Sequence, residues 1–485
     1  MGVHRSNTVS ATVGLVSLSP SFNFSLLDRA RDFGRKLRSR PEARATFFSV
    51  SAFGFSQILR IASSLIMTRV LAPEMFGIMA LVLAIQIMMA LISDFGIRQI
   101  VIQSPRGNEP ELLNTAWTIE ILRSVAVWLI CLAISVGLFA ADQLGLLSPG
   151  STWGAPDLPM VLAALTLTTV IHGFRSTKLM TAVRRMQLGK PSVIEVVSQI
   201  SGLAVMIGYG LAYATIWALV VGAVASALVT VILSHTWLKG PTNRFCWDRS
   251  AISELYITGR WMMLSSIIQA FSTNIDRFLL AGVVSPVFLG LYSLALNLVL
   301  LVEILGGKLI TDVAFPSLCE AAREDREGFS THVFKARLPI DLGYLIASGL
   351  MFAAATSLVD LLYDDRYLEA GSILQILSLS LFFARYGIYP FAYLALGEAH
   401  LLAAVNFIRI IFSVILILGC YFAFGSYGAI FAIAMSGLSV MLSVFWLNRR
   451  FGLNNFAYEL VVLPAWVVGY GLGLIAAKFI GYLLG

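Results

Sequence analysis

Apolar runs of about 20 residues alternate with short polar segments along the whole chain, and each run is long enough to cross a bilayer as a helix. The pattern predicts an all-α polytopic membrane protein with twelve core spans and one further span at the C-terminus. The first six spans lie near 46–70, 76–103, 115–140, 157–180, 191–213 and 215–237. The next six lie near 256–283, 287–315, 337–359, 370–396, 401–424 and 427–447, and the thirteenth apolar stretch covers 459–484.

Two of the turns between spans share one pattern. Residues 70–77 read V-L-A-P-E-M-F-G, and 213 positions later residues 283–290 read V-V-S-P-V-F-L-G. Similar segments at a fixed distance indicate that the chain arose by duplication. Because six spans separate the two copies, both halves have the same orientation, which predicts two parallel six-helix repeats around a central site. We expect the helices before the two turns, spans one and seven, to face each other across that site.

The positive charges fall in alternate loops. Arginines and lysines precede the first span and occupy loops 181–190, 239–255 and 316–336, whereas loops 71–75 and 141–156 have none. The positive-inside rule therefore predicts a cytoplasmic N-terminus. The predicted organisation is a cytoplasmic leader (1–44) with an amphipathic basic helix at 26–37, an N-terminal lobe (45–238), a cytoplasmic linker (239–255), a C-terminal lobe (256–447) and an additional C-terminal helix (448–485).

Composition excludes several classes of protein. Only 13% of the residues are charged and 58% are hydrophobic, whereas soluble domains have about 25% charged residues. The four cysteines and five histidines are scattered, so we predict no metal site, no disulfide framework and no cofactor. The net charge of +7 lies mainly in loops on one side of the membrane, so it does not indicate a nucleic-acid partner.

Polar stripes mark the two repeat-related spans. In span one, Gln57, Arg60 and Ser64 are three or four residues apart and therefore share a helix face. Span seven has the corresponding stripe, which consists of Gln269, Thr273, Asp276 and Arg277. An ionisable group within a membrane span is costly, so we interpret both stripes as facing a hydrated cavity.

Further polar residues lie in the other spans. We expect three pairs at helical spacing to be mainly structural: Asp94 with Arg98, Glu120 with Arg123, and Lys308 with Asp312. Arg60, Arg385 and Arg409 have no acidic partner within one turn, and we expect them to line the cavity. The predicted substrate-binding set of this central cationic cavity is Arg60, Gln57, Ser64, Gln269, Thr273, Arg277, Asn297, Arg385 and Arg409. Asp276, Glu195 and Glu303 are candidate coupling-ion sites or counter-ions to arginine.

An excess of arginine inside a cavity predicts an anionic passenger. Guanidinium groups remain charged and bind phosphate or carboxylate through two parallel hydrogen bonds. A cavity for organic cations would need the opposite excess of charge.

Five segments in this order resemble one family, the polysaccharide transporters (oligosaccharide flippases) of the multidrug/oligosaccharidyl-lipid/polysaccharide exporter superfamily. They are T-R-V-L-A-P-E-M-F-G (68–77), D-F-G-I-R-Q-I-V-I-Q (94–103), N-I-D-R-F-L-L-A-G (274–282), L-G-L-Y-S-L-A (289–295) and V-A-F-P-S-L (313–318). The resemblance covers residues 45–450. It implies two six-helix lobes and the translocation of oligosaccharide on undecaprenyl diphosphate across a bacterial inner membrane, for exopolysaccharide, O-antigen or capsule biosynthesis. The predicted partners are this lipid-linked substrate, membrane lipids and a polysaccharide polymerase with its co-polymerase, and the default oligomeric state is a monomer.

Three alternatives stay open. A cation-coupled multidrug antiporter of the same superfamily would need an acidic cavity. A membrane glycan polymerase or ligase would need a large outer loop, whereas the predicted outer loops have about 5–17 residues. A major-facilitator carrier would need a G-x-x-x-D-R-x-G-R-type loop after span two, where this chain has P-R-G-N-E-P-E.

Overall fold

The chain is an all-α polytopic membrane protein, as predicted. A computed structural model describes residues 41–148, 150–326 and 328–484, and within these ranges all regular structure is helical. The predicted amphipathic helix at 26–37 lies outside the described residues.

The first half contains eight helices in the described part of the chain. They are α1 Pro41–Val70, α2 Pro73–Ile92, α3 Ile97–Gln103, α4 Pro110–Gln143, α5 Leu158–Gly173, α6 Lys178–Arg184, α7 Gly189–Tyr213 and α8 Trp217–Thr236. The sequence predicted 76–103 and 157–180 as continuous helices, and both predictions were wrong. The first breaks at Gly96, whose φ of 62° does not fit a right-handed helix and whose N–H donates to Asp94 Oδ1 at 2.8 Å. The second bends by 62° between α5 and α6.

The second half is longer and more broken. Its helices are α9 Arg249–Val283, α10 Pro286–Leu309, α11 Phe315–Glu324, α12 Phe329–Leu362, α13 Glu369–Leu377, α14 Ser380–Ala384, α15 Ile388–Ala395, α16 Ala399–Met435, α17 Gly437–Phe451, α18 Phe456–Val462 and α19 Pro464–Leu484. Helix α9 begins within the predicted linker because Asp248 accepts the Ala251 N–H at 2.9 Å and caps the helix. The predicted boundary between 401–424 and 427–447 coincides with a break inside α16 at Gly425, whose φ is 69°.

Most of the predicted spans correspond to apolar helices in the described part of the chain. Nine helices among the described residues are long and apolar enough, or ten if α5 and α6 form one bent span. Helices α1 and α9 are not in this set, and in α9 serine, glutamine and charged residues interrupt the apolar sequence. With these two helices, and with His400–Phe451 divided at Gly425, the described chain has the thirteen predicted segments.

The two copies of the repeated turn contact each other. A methyl group added at Gly77 would lie 1.8 Å from the Pro286 carbonyl oxygen, and one added at Gly290 would lie 2.0 Å from the Pro73 carbonyl oxygen. The contact is reciprocal, as expected for two halves related by a two-fold axis. Glycine is needed at both positions because α2 and α10 approach each other backbone to backbone.

A second reciprocal contact holds the ends of α1 and α9. The Tyr367 hydroxyl of the second half donates to the Leu71 carbonyl oxygen at 2.6 Å, and the Thr152 N–H of the first half donates to the Val284 carbonyl oxygen at 3.1 Å. Leu71 and Val284 are 213 residues apart, as are the short 3₁₀ turns Thr152–Gly154 and Asp365–Tyr367. The duplicated turn is therefore part of an interface between the two halves, which we name the turn interface.

The thirteenth segment packs on the second half. Helix α19 contacts α12 closely enough that a methyl group added at Gly469 would lie 2.3 Å from the Ile346 carbonyl oxygen. Small residues allow such helix contacts within a membrane. The predicted division into lobes at 239–255 stays a prediction.

Candidate functional site

Arg60 lies in a mainly apolar cavity that also has polar side chains, and Asn297 is its residue from the second half. This Arg60 cavity has a volume of about 340 Å³ and includes Ser63 and Ser64 of α1, Gln199 of α7 and Asn297 of α10. No carboxylate pairs with Arg60 in the described part of the chain. The structure thus places three members of the predicted binding set, Arg60, Ser64 and Asn297, around one cavity.

The stripe on α1 is linked to α7. The Ser56 hydroxyl donates to Gln199 Oε1 at 2.8 Å. Gln57 Oε1 is buried and has no hydrogen-bond partner among the described residues. A buried acceptor without a partner is uncommon in folded proteins, so this end of the stripe has unused capacity for a donor.

A second cavity lies in the second half. This Arg409 cavity of about 310 Å³ includes Glu303 of α10, Tyr344 of α12 and Arg409 of α16. Arg409 Nη2 also donates to the Ser272 carbonyl oxygen at 3.1 Å, which ties α16 to α9. Glu303 and Arg409 thus line the same cavity, and the role of Glu303 as coupling-ion site or counter-ion stays a prediction.

The stripe residues on α9 do not line either of these two cavities. Gln269 and Thr273 are exposed, and the Thr273 hydroxyl donates to the Gln269 carbonyl oxygen at 2.8 Å. Asp276 accepts a hydrogen bond from the Tyr292 hydroxyl. Arg277 Nε is buried and has no hydrogen-bond partner in the described ranges.

A third cavity contains polar residues that were not in the predicted set. We name it the Arg98–Arg175 chamber. It measures about 470 Å³ and is lined by residues of α3 to α8, with Glu195 as its member of the predicted set. Gln199 and Ser226 line both this chamber and the Arg60 cavity.

The sequence analysis missed Arg98 and Arg175 for different reasons. Arg98 was assigned to a helical pair with Asp94, but the break at Gly96 separates them and Asp94 accepts the Gly96 N–H instead. Arg175 lies in the joint between α5 and α6, within a segment that was interpreted as one helix. Each break has a glycine that could have indicated it: Gly96, two residues after Asp94, and Gly173, two residues before Arg175. The predicted pairing of Glu120 with Arg123 is confirmed by a distance of 3.8 Å.

Arg385 is the clear correction to the predicted set. It is 1% exposed and belongs to a buried ion-pair cluster instead of a cavity wall. Its Nη2 lies 2.8 Å from Glu459 Oε2, and its Nη1 lies 3.6 Å from Asp341 Oδ2. Arg337 completes the cluster, at 2.9 Å from Asp341 and 2.6 Å from Glu459. The acids are distant in sequence, so helical spacing could not reveal them.

The architecture is that of known membrane transporters. The fold resembles "Lipid II flippase MurJ, inward closed conformation" with a TM-score of 0.63 and 14% identity, over 91% of this chain and 100% of that chain. It also resembles a multidrug resistance MATE family transporter of the MOP superfamily, with a TM-score of 0.58 and 14% identity, over 83% of this chain and 95% of that chain. At 14% identity, both likenesses establish the fold alone.

The family follows from sequence. The family profile described as "Polysaccharide biosynthesis protein" matches residues 66–370, which is more than half of the chain. The chain belongs to this family, and the predicted resemblance is confirmed.

Two curated relatives are similar over much of their length. "Lipopolysaccharide biosynthesis protein WzxC" of Escherichia coli (strain K12) is 22% identical over 66% of this chain and 62% of its own length. "Uncharacterized membrane protein in cps region" of Klebsiella pneumoniae is 23% identical over 71% of this chain and 68% of its own length. The aligned part of the chain thus spans less than two thirds of the first of these relatives.

Proposed function

We propose that the protein is a flippase that moves undecaprenyl-diphosphate-linked oligosaccharide repeat units across a bacterial inner membrane by alternating access. The Arg60 cavity is the observation that carries this proposal. It contains Arg60, which has no paired carboxylate among the described residues, and it also contains neutral polar side chains from both halves. These groups suit an anionic, hydroxyl-rich headgroup. The polysaccharide family, the lipopolysaccharide-related relative and the fold shared with a lipid II flippase support the same class of cargo.

The proposed mechanism uses the two lobes as moving bodies. The N-terminus and the basic loops face the cytoplasm, so the turn interface lies at the outer face of the membrane. Contacts at this interface close the outer face while the headgroup enters from the cytoplasmic side. Separation of Gly77 from Pro286, and of Tyr367 from Leu71, then opens the outer side, while the polyprenyl tail stays in lipid. Arg60 and Asn297 contact the cargo from opposite lobes, which couples binding to the relative position of the lobes.

Replacement of Arg60 tests the binding site in the producing bacterium. We expect Arg60→Ala to lower the surface polysaccharide and to raise the lipid-linked oligosaccharide in the cytoplasmic leaflet. A charge-assisted hydrogen bond contributes about 1.5–3 kcal/mol, so affinity for the headgroup should fall by about 10- to 150-fold. Polysaccharide is measured by immunoblot, and the lipid-linked pool by extraction and mass spectrometry after labelling of each leaflet.

The matched control is Arg449→Ala, which removes an exposed arginine in the last turn of α17. It should leave both pools unchanged at equal protein level. Normal export by Arg60→Ala would remove the Arg60 cavity from the proposal. Loss of resistance to organic cations in Arg60→Ala, with surface polysaccharide unchanged, would favour the multidrug antiporter.

A further inference from the structure

The Arg98–Arg175 chamber has the features of a second binding site. It lies within the first half, between the end of α3, the joint of α5 and α6, and the walls of α7 and α8. Its volume of about 470 Å³ falls in the range of about 300–1,000 Å³ that small-molecule sites occupy. Gln199 and Ser226 line both cavities, so the chamber is adjacent to the Arg60 cavity.

Several polar groups of the chamber have no partner in the described protein. Ser198 is 2% exposed, and its hydroxyl has no hydrogen-bond partner among the described residues. The Nδ1 atom of His172 is also buried and has no hydrogen-bond partner in the described part of the chain. Buried polar atoms are nearly always satisfied in native proteins, so two such atoms on one cavity wall point to a polar ligand.

The two arginines of the chamber are also available. Neither Arg98 nor Arg175 forms an ion pair with a carboxylate in the described ranges, and Arg175 donates only its Nε, to the His172 carbonyl oxygen at 3.1 Å. Guanidinium groups with free N–H donors bind a planar carboxylate bidentately.

Two carboxylates line the same chamber and limit which anion fits. Glu120 is paired with Arg123 at 3.8 Å. Glu195 is exposed and has no ion-pair partner in the described part of the chain. A diphosphate, with at least two negative charges, would be repelled by Glu195 and Glu120 more strongly than a single carboxylate. A sugar with a single carboxylate would place its charge on the arginines and its hydroxyl donors on Glu195 and the Ser198 oxygen.

We infer that the Arg98–Arg175 chamber binds an acidic sugar residue, such as a uronic acid, of the translocated glycan. Arg98 and Arg175 bind the carboxylate, and Glu195 with Ser198 accepts hydrogen bonds from the hydroxyl groups. The inference rests on the proposed function and narrows its substrate class to acidic oligosaccharides. The chamber then selects the glycan, while the Arg60 cavity binds the diphosphate that all such carriers share.

Charge-selective labelling of a cysteine in the chamber tests the inference. In Ser198→Cys protein, we expect an anionic methanethiosulfonate to react at least about tenfold faster than a cationic one, after correction for their intrinsic rates, because a cationic cleft concentrates anions by about 10- to 1,000-fold. The preference should disappear in the Arg98→Gln/Arg175→Gln background and persist in Arg449→Gln. Parent protein, with its own four cysteines, supplies the background rate.

Ligand protection identifies the anion. A tetrasaccharide containing glucuronate should slow labelling of Ser198→Cys, whereas a neutral tetrasaccharide of equal length and inorganic diphosphate should not. Ser192→Cys, on the same wall, replaces Ser198→Cys if that variant does not fold. The absence of a charge preference, equal protection by the neutral sugar or stronger protection by diphosphate would each overturn the inference.

The outcome separates the chamber from the proposed function. If labelling shows that the chamber does not bind an acidic sugar while Arg60→Ala still blocks export, the proposed flippase function stands without this site. If Arg60→Ala exports normally, the proposed function fails at its own site, whatever the labelling shows.

Discussion

Arg60 and Arg385 have similar sequence surroundings but different structural environments. Both lie in helical segments without an acidic residue within one turn. Arg60 lines a cavity, whereas Arg385 is buried between Asp341 and Glu459. The difference arises because α18 brings Glu459 to Arg385 from more than seventy positions away, which only the tertiary fold determines.

Arg385→Ala should therefore lower the stability of the folded protein, in addition to any effect on transport. Removal of one partner from a buried ion pair costs about 3–5 kcal/mol, because a charge stays buried without compensation. We expect Arg385→Ala protein in detergent to have a clearly lower melting temperature than the parent, measured by thermal unfolding with a thiol-reactive dye. The melting temperatures of Arg449→Ala and Arg60→Ala should stay close to that of the parent. An Arg385→Ala protein as stable as Arg449→Ala but inactive in export would restore Arg385 to the transport site.

At the scale of single residues, sequence reasoning worked where the signal was local. The helical spacing on α1 predicted the polar stripe, and Arg60, Ser64 and Asn297 do line one cavity. It failed where a helix breaks, as for Arg98, or where partners are distant, as for Arg385. Both failures have the same physical origin, because spacing along one helix contains no information on what a break or another helix brings near.

The duplicated turn is the element that determines how the halves meet. The pattern V-x-x-P-x-x-x-G predicted duplication, and its proline begins α2 and α10, where a missing N–H costs nothing. The expectation that spans one and seven face each other was incomplete, since α2 and α10 make the direct contact at Gly77 and Gly290. The sequence could not distinguish a glycine that permits a turn from a glycine that permits helix contact.

Gly77→Val should open the turn interface. The added side chain would meet the Pro286 carbonyl oxygen, and overpacking of this kind costs about 1–3 kcal/mol. The population of separated states should rise by about 5- to 150-fold. The readout is the labelling rate of Val284→Cys, which is 3% exposed in the contact state, by a maleimide that does not cross membranes.

Gly137→Val is the matched control, because Gly137 is exposed on α4 and has no atom within 4 Å of an added methyl group. It should leave the labelling rate unchanged. Equal rates in both variants would show that the turn interface does not limit access to this end of the protein.

For the whole molecule, hydropathy predicted the class well, whereas the orientation inferred from charge stays a prediction. The nine or ten apolar spans of the described residues, their helical fold and the polysaccharide family were all accessible from apolar run lengths and five short segments. The cavities were only partly accessible, because each is assembled from several helices whose relative positions the pattern does not determine. The central claim at this scale is that the protein transfers a lipid-linked oligosaccharide between leaflets through the Arg60 cavity.

Transfer in proteoliposomes tests this claim most directly. Purified protein is reconstituted with a fluorescent undecaprenyl-diphosphate-linked oligosaccharide containing glucuronate, and a reductant that does not cross membranes quenches the outer leaflet. We predict that wild-type protein makes the inner-leaflet pool accessible, that Arg60→Ala slows this transfer by about 10- to 150-fold, and that a fluorescent phospholipid is not transferred. Equal transfer by wild type and Arg60→Ala, or no transfer above that of protein-free vesicles, would contradict the account.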